Sequence, residues 1–150
     1  MGVSDYLAEQ RIPFETLLHP PAYSAQRRAK YLGIPGKQVA KSVLLKGPAG
    51  YFLAILPATL HIDPEKLAVE LGGPVRLANA EEMAKVFTDC EWGVASPLGS
   101  RYGVPTYLEE SVCADAIIVL ELNYRHEAIR MRCGDFEQLE KPRRLRFACR

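Results

Sequence analysis

Two apolar stretches near the middle of the chain predict a β-hairpin. Residues 39–46 read VAKSVLLK and residues 51–56 read YFLAIL, and both are rich in residue types that favour strands. Residues 47–50, Gly-Pro-Ala-Gly, stand between them, and glycine with proline is typical of a tight turn. Shorter apolar segments predict further strands over residues 14–18, 75–77, 116–122 and 128–132.

Helices are predicted where a capping residue precedes a run of helix-forming residues. Ser24 and Asp63 suit N-cap positions, and Pro64 suits the first position of the helix that follows Asp63. Asn79 or Ala80 lies near the start of another helix. The predicted helices cover residues 4–10, 24–32, 63–72 and 81–86, and Asp135 is predicted to cap a short last one. Residues 88–103 are predicted to form a long loop.

These strands and helices interleave without the strict alternation of a parallel βαβ fold. The order predicts an α/β fold of the α+β kind, with helices around a mixed, mostly antiparallel sheet. The chain has 150 residues and contains no linker or internal repeat. We therefore expect a single domain over residues 1–150.

Composition limits the classes of partner. The net charge is +1 and 48% of the residues are hydrophobic, which excludes a uniformly basic coat for nucleic acid but leaves room for a local basic patch. No run approaches the roughly 18 apolar residues of a membrane span. The N-terminus lacks the apolar segment of a signal peptide. We expect a cytoplasmic protein with no membrane partner and no DNA partner.

The cysteines give no sign of a metal site. They are Cys90, Cys113, Cys133 and Cys149. They form no C-x-x-C pair, and no His-x-x-x-His motif accompanies them, so structural zinc is not expected. We expect reduced thiols in buried or incidental positions, and neither a metal nor another cofactor.

Lys41 interrupts the first strand of the hairpin. Side chains alternate between the two faces of a strand, so Lys41 shares its face with Val43 and Leu45. A buried ammonium is costly unless it is paired or reaches a wet cavity. Two interpretations follow: the side chain extends to the sheet edge, or it enters a cleft and meets a phosphate or a carboxylate.

The segment EWGVASPLG, residues 91–99, is a second candidate for chemistry. Gly93 permits backbone conformations that a side chain forbids, and Pro97 restrains its own φ and the conformation of Ser96. Such a loop can point several backbone N–H groups in one direction, as an anion or oxyanion site requires. An irregular turn without function is the alternative.

Together these segments resemble the YbaK family, the editing domains associated with prolyl-tRNA synthetase. The resemblance covers residues 6–139 and depends on the order and spacing of several short motifs. The matching segments are HPPAYSAQRRAKYLG from His19 to Gly33, VAKSVLL around Lys41, YFLAILPATLHID from Tyr51 to Asp63, and GVASP from Gly93 to Pro97.

The resemblance implies a function and a set of partners. Family members hydrolyse the ester between a wrong amino acid and the 3′ end of a tRNA, many as free-standing, trans-acting domains. The implied fold is mixed α/β with a mostly antiparallel, barrel-like sheet. The expected partners are a mischarged tRNA, with a tRNA for proline among the candidates, and as a further candidate an aminoacyl-tRNA synthetase.

The same resemblance assigns residues to roles. Lys41 matches the active-site lysine of the family, and residues 93–97 match the loop that holds the terminal adenosine and the carbonyl. The candidate catalytic residues are Lys41, Gly93, Val94, Ala95, Ser96 and Pro97. The candidate substrate-binding residues are His19, Tyr23, Ser42, His61, Leu98 and Gly99. A ribose hydroxyl of the tRNA would help to activate water, which agrees with the lack of an evident Ser-His-Asp set.

Ser96 and Asp63 have simpler explanations than catalysis. No G-x-S-x-G motif surrounds Ser96 and no histidine is near it in sequence, so a hydrogen bond within the loop is favoured over a nucleophile. Asp63 is better explained as a helix cap than as a base. Each histidine could equally be an ordinary turn or surface residue.

Two departures from the family pattern leave the amino acid open. Ser42 follows Lys41, where the alanine-specific branch has asparagine, and residues 89–92 stand where a Thr-Gly pair is common. Alanine, cysteine, serine and threonine all stay candidates. The alternative functions are a non-catalytic module that binds tRNA or a synthetase, and a hydrolase for another small acyl ester.

The C-terminal segment KPRRLRFACR is basic. It could contact tRNA phosphates, or it could be a solvated tail. Its basic residues are Lys141, Arg143, Arg144, Arg146 and Arg150.

Overall fold

A computed structural model describes residues 3–112 and 116–150, so the predicted role of Cys113 lies outside the described residues. The helices are α1 (Val3–Glu9), α2 (Ala25–Leu32), α3 (Pro64–Leu71), α4 (Ala80–Val86) and α5 (Cys133–Glu140). Two short 3₁₀ helices cover Gly36–Gln38 and Gly99–Tyr102. The second of these lies inside the predicted long loop, whose other residues form neither helix nor strand.

The strands form three sheets. They are β1 (Glu15–Leu18), β2 (Ala40–Gly47), β3 (Gly50–Pro57), β4 (His61–Ile62), β5 (Arg76–Leu77), β6 (Thr106–Glu109), β7 (Ile117–Glu121), β8 (Glu127–Arg132), β9 (Arg143–Leu145) and β10 (Ala148–Cys149). A five-stranded sheet has the order β5-β2-β3-β6-β9, a three-stranded sheet the order β1-β8-β7, and β10 pairs with β4. The β3–β6 and β6–β9 ladders are parallel, and the other ladders are antiparallel.

This architecture confirms the predicted mixed, mostly antiparallel α/β fold and corrects one part of it. The sheets are not closed into a barrel. The five-stranded sheet ends in β5 and β9, and these edge strands are only two and three residues long. In the described ranges, a single parallel bridge between Val39 and Val119 links β2 to the three-stranded sheet, which is too little pairing to close a barrel.

The central hairpin forms as its sequence predicts. Gly47 lies opposite Gly50, and Gly50 has a φ of 119°, a conformation that favours glycine. Strand β2 lies between β3 and β5, so it is an inner strand of the sheet. Phe52 and Leu56 of β3 lie opposite Leu45 and Lys41, and the apolar members of this face pack on buried Leu67 and Phe147. Lys41 therefore starts from an apolar face of an inner strand.

The predicted helix caps are confirmed with one exception. The Ser24 hydroxyl accepts a hydrogen bond from the Arg27 N–H, and the Asp63 carboxylate accepts from the Glu65 and Lys66 N–H groups. Asn79 forms a capping box with Glu82 at the start of α4. Asp135 was the exception: it lies in the first turn of α5, whose N-cap is Arg132 with no side-chain cap.

The basic C-terminal segment belongs to the fold, so of the two interpretations left open, a solvated tail is wrong. Phe147 is fully buried, and its N–H donates to a Glu109 carboxylate oxygen at 2.8 Å. Arg144 donates to Glu137 at 2.7 Å and also to backbone carbonyl groups. Arg146 and other basic side chains of the segment stay exposed. Their contact with tRNA stays a prediction.

None of the helices within residues 3–112 and 116–150 combines the length and the apolar character that crossing a bilayer requires.

Candidate active site

Lys41 lies half-buried near the start of β2. Its Cα partner across the hairpin is Leu56, which is fully buried. Its ammonium has no hydrogen-bond or ion-pair partner among the residues that the structure describes. Burial lowers the pKa of Lys41, because the charged form loses hydration that no carboxylate replaces. An unpaired, partly desolvated cation of this kind is suited to an anionic ligand.

Lys41 and Ser42 lie in the walls of two neighbouring cavities. The first has a volume of 120 Å³ and also includes Tyr23 and Gly93 in its walls. The second has a volume of 340 Å³ and includes His61. The fold thus brings together five of the residues that the sequence singled out, although they come from separate segments of the chain.

The loop that follows Gly93 is buried and offers free backbone donors. Gly93 has a φ of 85°, and the residues from Val94 to Leu98 are buried. The Val94 N–H donates to the Glu91 carbonyl at 3.0 Å. Within the described part of the chain, the N–H groups of Gly93, Ala95 and Ser96 have no acceptor. Buried donors are nearly always paired, so unused ones mark a place where a ligand can bind.

Arg28 and Glu121 form a buried ion pair in the wall of the smaller cavity. Arg28, on α2, is 3% exposed, and its guanidinium pairs with the carboxylate of Glu121 at the end of β7. Burial lowers the pKa of Arg28 and raises that of Glu121, while the charge of each partner opposes the shift of the other. The Nε atom of Arg28 is buried and has no partner among the described residues.

Arg125 lines the same cavity and contacts both Tyr23 and Trp92. Its guanidinium lies 4.6 Å from the centroid of the Tyr23 ring and donates to the Trp92 carbonyl at 3.0 Å. A Cβ added to Gly93 would lie 2.4 Å from Nη2 of Arg125. The glycine therefore leaves room for the arginine, in addition to adopting a left-handed conformation.

Sequence reasoning missed these three charged residues. Arg28 and Glu121 are 93 positions apart in the chain, so no local motif joins them. The available signals were weak: a second arginine in the helix AQRRAKYL, and an acid that ends the apolar strand IIVLE. Only the tertiary fold shows that both face one cavity.

Three predicted substrate-binding residues lie outside the walls of these two cavities, as do residues 94–97 of the predicted catalytic loop, which follow Gly93 into the interior. Leu98 packs in the core, and Gly99 begins a 3₁₀ helix where a Cβ would lie 2.6 Å from the Thr106 hydroxyl. His19 has Nδ1 2.7 Å from the Pro20 carbonyl, and its ring stacks on Tyr31 with centroids 6.4 Å apart. Burial lowers the pKa of His19, and its Nε2 is buried without a partner in the described ranges.

The hydroxyl and thiol near the loop are poor nucleophiles. Ser96 is fully buried, and its Oγ accepts a hydrogen bond from the Leu98 N–H at 3.2 Å. Burial raises the pKa of the Cys90 thiol to about 11, so it stays protonated at neutral pH. Across residues 3–112 and 116–150, no three His, Cys, Asp or Glu side chains converge in a way that could hold a metal ion.

Three exposed aromatic residues line the smaller cavity or adjoin, in sequence, residues that line it. Tyr23 is 76% exposed, Trp92 60% and Tyr124 46%. Their segments lie side by side: the Ala22 N–H donates to the Arg125 carbonyl, and the Glu91 N–H donates to the Asn123 carbonyl, both at 2.8 Å. Exposed rings beside cations are suited to stacking with nucleic-acid bases.

Comparison with known proteins points to aminoacyl-tRNA editing. A model of the aminoacyl-tRNA editing domain family matches residues 19–139. The proline–tRNA ligase of Thermotoga sp. (strain RQ2) is 29% identical over 92 residues, which are 61% of this chain and 16% of the ligase. That of Fervidobacterium nodosum is 34% identical over 62 residues, 41% of this chain and 11% of the ligase. The chain thus spans less than a fifth of these relatives.

Two solved structures share the fold. A candidate trans-editing enzyme for prolyl tRNA synthetase superposes with a TM-score of 0.80 at 21% identity, over 91% of this chain and 87% of that one. A protein described as hypothetical superposes with a TM-score of 0.87 at 13% identity, over 98% and 99% of the two chains. At these identities the likeness shows the fold, which is the YbaK-like fold that the sequence predicts.

Proposed function

The chain belongs to the aminoacyl-tRNA editing domain family, and we propose that it is a trans-acting deacylase of mischarged tRNA. The observation that carries the proposal is the unpaired ammonium of Lys41 in the same small cavity as Gly93, whose loop holds unused N–H groups. The fold shared with a candidate trans-editing enzyme supports action by a free-standing domain.

In the proposed reaction, water adds to the carbonyl carbon of the aminoacyl ester. The N–H groups of Gly93, Ala95 and Ser96 stabilise the oxyanion, and one such donor is worth about 3–4 kcal/mol in acyl-transfer enzymes. The ester C–O bond then breaks, the ribose oxygen takes up the proton, and the amino acid leaves. The neighbouring ribose hydroxyl assists the water, as the family resemblance implies.

The protein needs no nucleophile of its own for this step. An aminoacyl ester is already activated, Ser96 is occupied within its loop, and Cys90 stays a thiol at neutral pH. Lys41 acts instead on the RNA part of the substrate, where its charge holds a phosphate or the terminal ribose in place.

The cavity volume supports a small amino acid. A cavity of about 150 Å³ in another protein accommodates benzene, so 120 Å³ fits an aminoacyl group of a few heavy atoms. Alanine, cysteine, serine and threonine all meet this limit, and Ser42 in the wall is positioned to contact the side chain. The relatedness to proline–tRNA ligases favours a tRNA for proline.

The exposed aromatic residues beside the smaller cavity favour tRNA over a free ester. Stacking on an aromatic side chain is worth about 1–3 kcal/mol per base, and Tyr23, Trp92 and Tyr124 are exposed where the single-stranded 3′ end would approach. A substrate of this kind places the protein where translation takes place, in the cytoplasm.

A deacylation panel tests the proposal. Purified protein is mixed with tRNA for proline charged with alanine, cysteine, serine or threonine, and with the methyl esters of the same amino acids. We expect release of at least one amino acid from tRNA and much slower cleavage of its methyl ester. Salt-sensitive tRNA binding without release would identify a binding module instead. Cleavage of the methyl esters alone would identify a general esterase.

A further inference from the structure

We infer that Glu121 binds the α-ammonium group of the aminoacyl ester, so that the cavity selects esters with a free amino group. This inference rests on the proposed function and extends it to a residue outside the motifs of the sequence. Glu121 would be a specificity determinant, because it distinguishes aminoacyl esters from acylated or deaminated ones.

The Glu121 carboxylate is only partly paired within the protein. Its Oε2 pairs with Arg28, whereas its Oε1 has no partner in the portion of the chain that the structure describes. The side chain is 18% exposed and lines the smaller cavity. An unpaired carboxylate oxygen on a side chain that lines a cavity can accept a hydrogen bond from a ligand, and a cationic donor gives the strongest bond.

The charges of the cavity wall are complementary to those of an aminoacyl ester. Glu121 is the one anionic group among the described residues that line this cavity, where the other charged groups are Arg28, Lys41 and Arg125. An aminoacyl ester has oxygen atoms that accept hydrogen bonds and one cation, its α-ammonium. The loop N–H groups suit the carbonyl and Lys41 suits the RNA, so Glu121 is the group left for the ammonium.

The protein also holds the Glu121 carboxylate in place. Arg28 lies on α2, which the Ser24 cap fixes, and it reaches Glu121 from the interior. Burial raises the pKa of Glu121, and the charge of Arg28 limits that rise, so the pair keeps the carboxyl closer to the ionised form that an ammonium requires. A well-ordered carboxylate can then distinguish ligands by charge.

The experiment compares an aminoacyl-tRNA with its 2-hydroxyacyl counterpart, in which a hydroxyl replaces the α-ammonium and the ester is unchanged. The amino acid is the one released fastest in the deacylation panel. For the wild-type protein we expect kcat/KM to be about 10- to 100-fold higher for the aminoacyl form, as one charge-assisted hydrogen bond predicts. In Glu121→Gln, which keeps the shape, most of this preference disappears.

Glu137→Gln is the matched control. Glu137 also forms a partly buried pair with an arginine, Arg144, but it does not line the cavity. The control should therefore keep the full preference. Thermal unfolding of each variant shows whether it is folded. The ratio of kcat/KM for the two substrates in the wild-type protein is a test that depends on no variant.

Each outcome decides between the two proposals. Equal wild-type rates for the two substrates, or a preference that persists in folded Glu121→Gln, would overturn the role of Glu121 and leave the deacylase intact. No release of any amino acid by the wild-type protein would overturn the deacylase, and the role of Glu121 with it.

Discussion

The two ends of strand β2 each carry a lysine, and the two side chains have opposite surroundings. Lys46, beside the turn, is exposed, and its ammonium lies 5.2 Å from the centroid of the Tyr51 ring. Lys41, at the inner end, is half-buried and has no partner in the described ranges. One strand thus holds an ordinary surface cation and a cation available to a ligand.

A cavity lies at each end of β2, and the two differ in volume and in the polar groups of their walls. The cavity at the turn end, which the hairpin turn at residues 47–50 lines, has a volume of 470 Å³, and its charged residues Glu70 and Arg143 are exposed. The cavity at Lys41 has only 120 Å³, but its walls include a buried ion pair and the start of a loop with unused donors. In this protein, unsatisfied polar groups mark the candidate site better than cavity size does.

The largest effect is expected from removal of one partner of the buried pair at the inner end. Arg28→Met leaves the Glu121 carboxylate buried without its counter-charge, which should lower the free energy of unfolding by about 3–5 kcal/mol. Urea unfolding at pH 7 measures it. Arg146→Met, which removes an exposed pair with Glu110, should cost less than about 1 kcal/mol.

The sign of the pH dependence follows from the same pair. The pKa of Glu121 is raised in the folded protein, and removal of Arg28 raises it further. Arg28→Met should therefore regain stability as the pH falls through that raised pKa, because the protonated carboxyl tolerates burial. A loss of unfolding free energy in Arg28→Met that is small at pH 7, or that grows at acid pH, would contradict the role of this pair.

The next largest effect is expected in the deacylation rate, which should distinguish the two lysines. Lys41→Ala should lower the single-turnover deacylation rate about 10- to 100-fold, since it removes a charged contact with the RNA. Its stability should be unchanged or higher, because a desolvated, unpaired cation is lost. Lys46→Ala is the control and should keep the wild-type rate. Equal rates in both variants would remove the distinction between the two ends.

Alanine substitutions at two glycines test the loop, with a smaller expected effect on deacylation. Gly93 and Gly103 have φ values of 85° and 71°, so alanine at either position should cost about 1–2 kcal/mol of stability. Only at Gly93 would the new Cβ meet another residue, the guanidinium of Arg125. We expect deacylation to fall about tenfold in Gly93→Ala and little in Gly103→Ala, given how rates depend on substrate position. Equal deacylation rates in the two variants would show that the loop geometry is unimportant for activity.

The smallest effect is a change in the pH dependence of binding. Trp92, the single tryptophan, can report by fluorescence on binding of a CCA trinucleotide whose aminoacyl group is attached by a stable amide. The protonated lysine attracts phosphate, so affinity should fall as the pH rises through the lowered pKa of Lys41, below the ordinary value of 10.5. Lys41→Arg should abolish this fall, because a guanidinium stays protonated. A fall that persists in the arginine variant would assign it to another group.

The sequence predicted local features of the fold well and long-range ones less well. The hairpin and the caps at Ser24, Asp63 and Asn79 follow from neighbouring residues, and the structure has them all. Strands β4, β6, β9 and β10 were missed, because parallel or short pairings between distant segments leave little pattern in the chain.

The candidate site shows the same limit. Lys41 and Gly93 could be singled out because a lysine in an apolar strand and a glycine before a proline are visible locally. Arg28 and Glu121 could not, since charged residues in a helix or at a strand end are ordinary until the fold buries them together. The unpaired state of the Lys41 ammonium is likewise a property of the tertiary structure alone.

A crystal structure with the amide-linked CCA analogue is the sharpest test of the proposed site. We expect the aminoacyl group to lie in the 120 Å³ cavity, with its carbonyl on the N–H groups of Gly93, Ala95 and Ser96 and with Lys41 against a phosphate or the terminal ribose. An analogue bound in the cavity at the turn end, with Lys41 still unpaired, would contradict it.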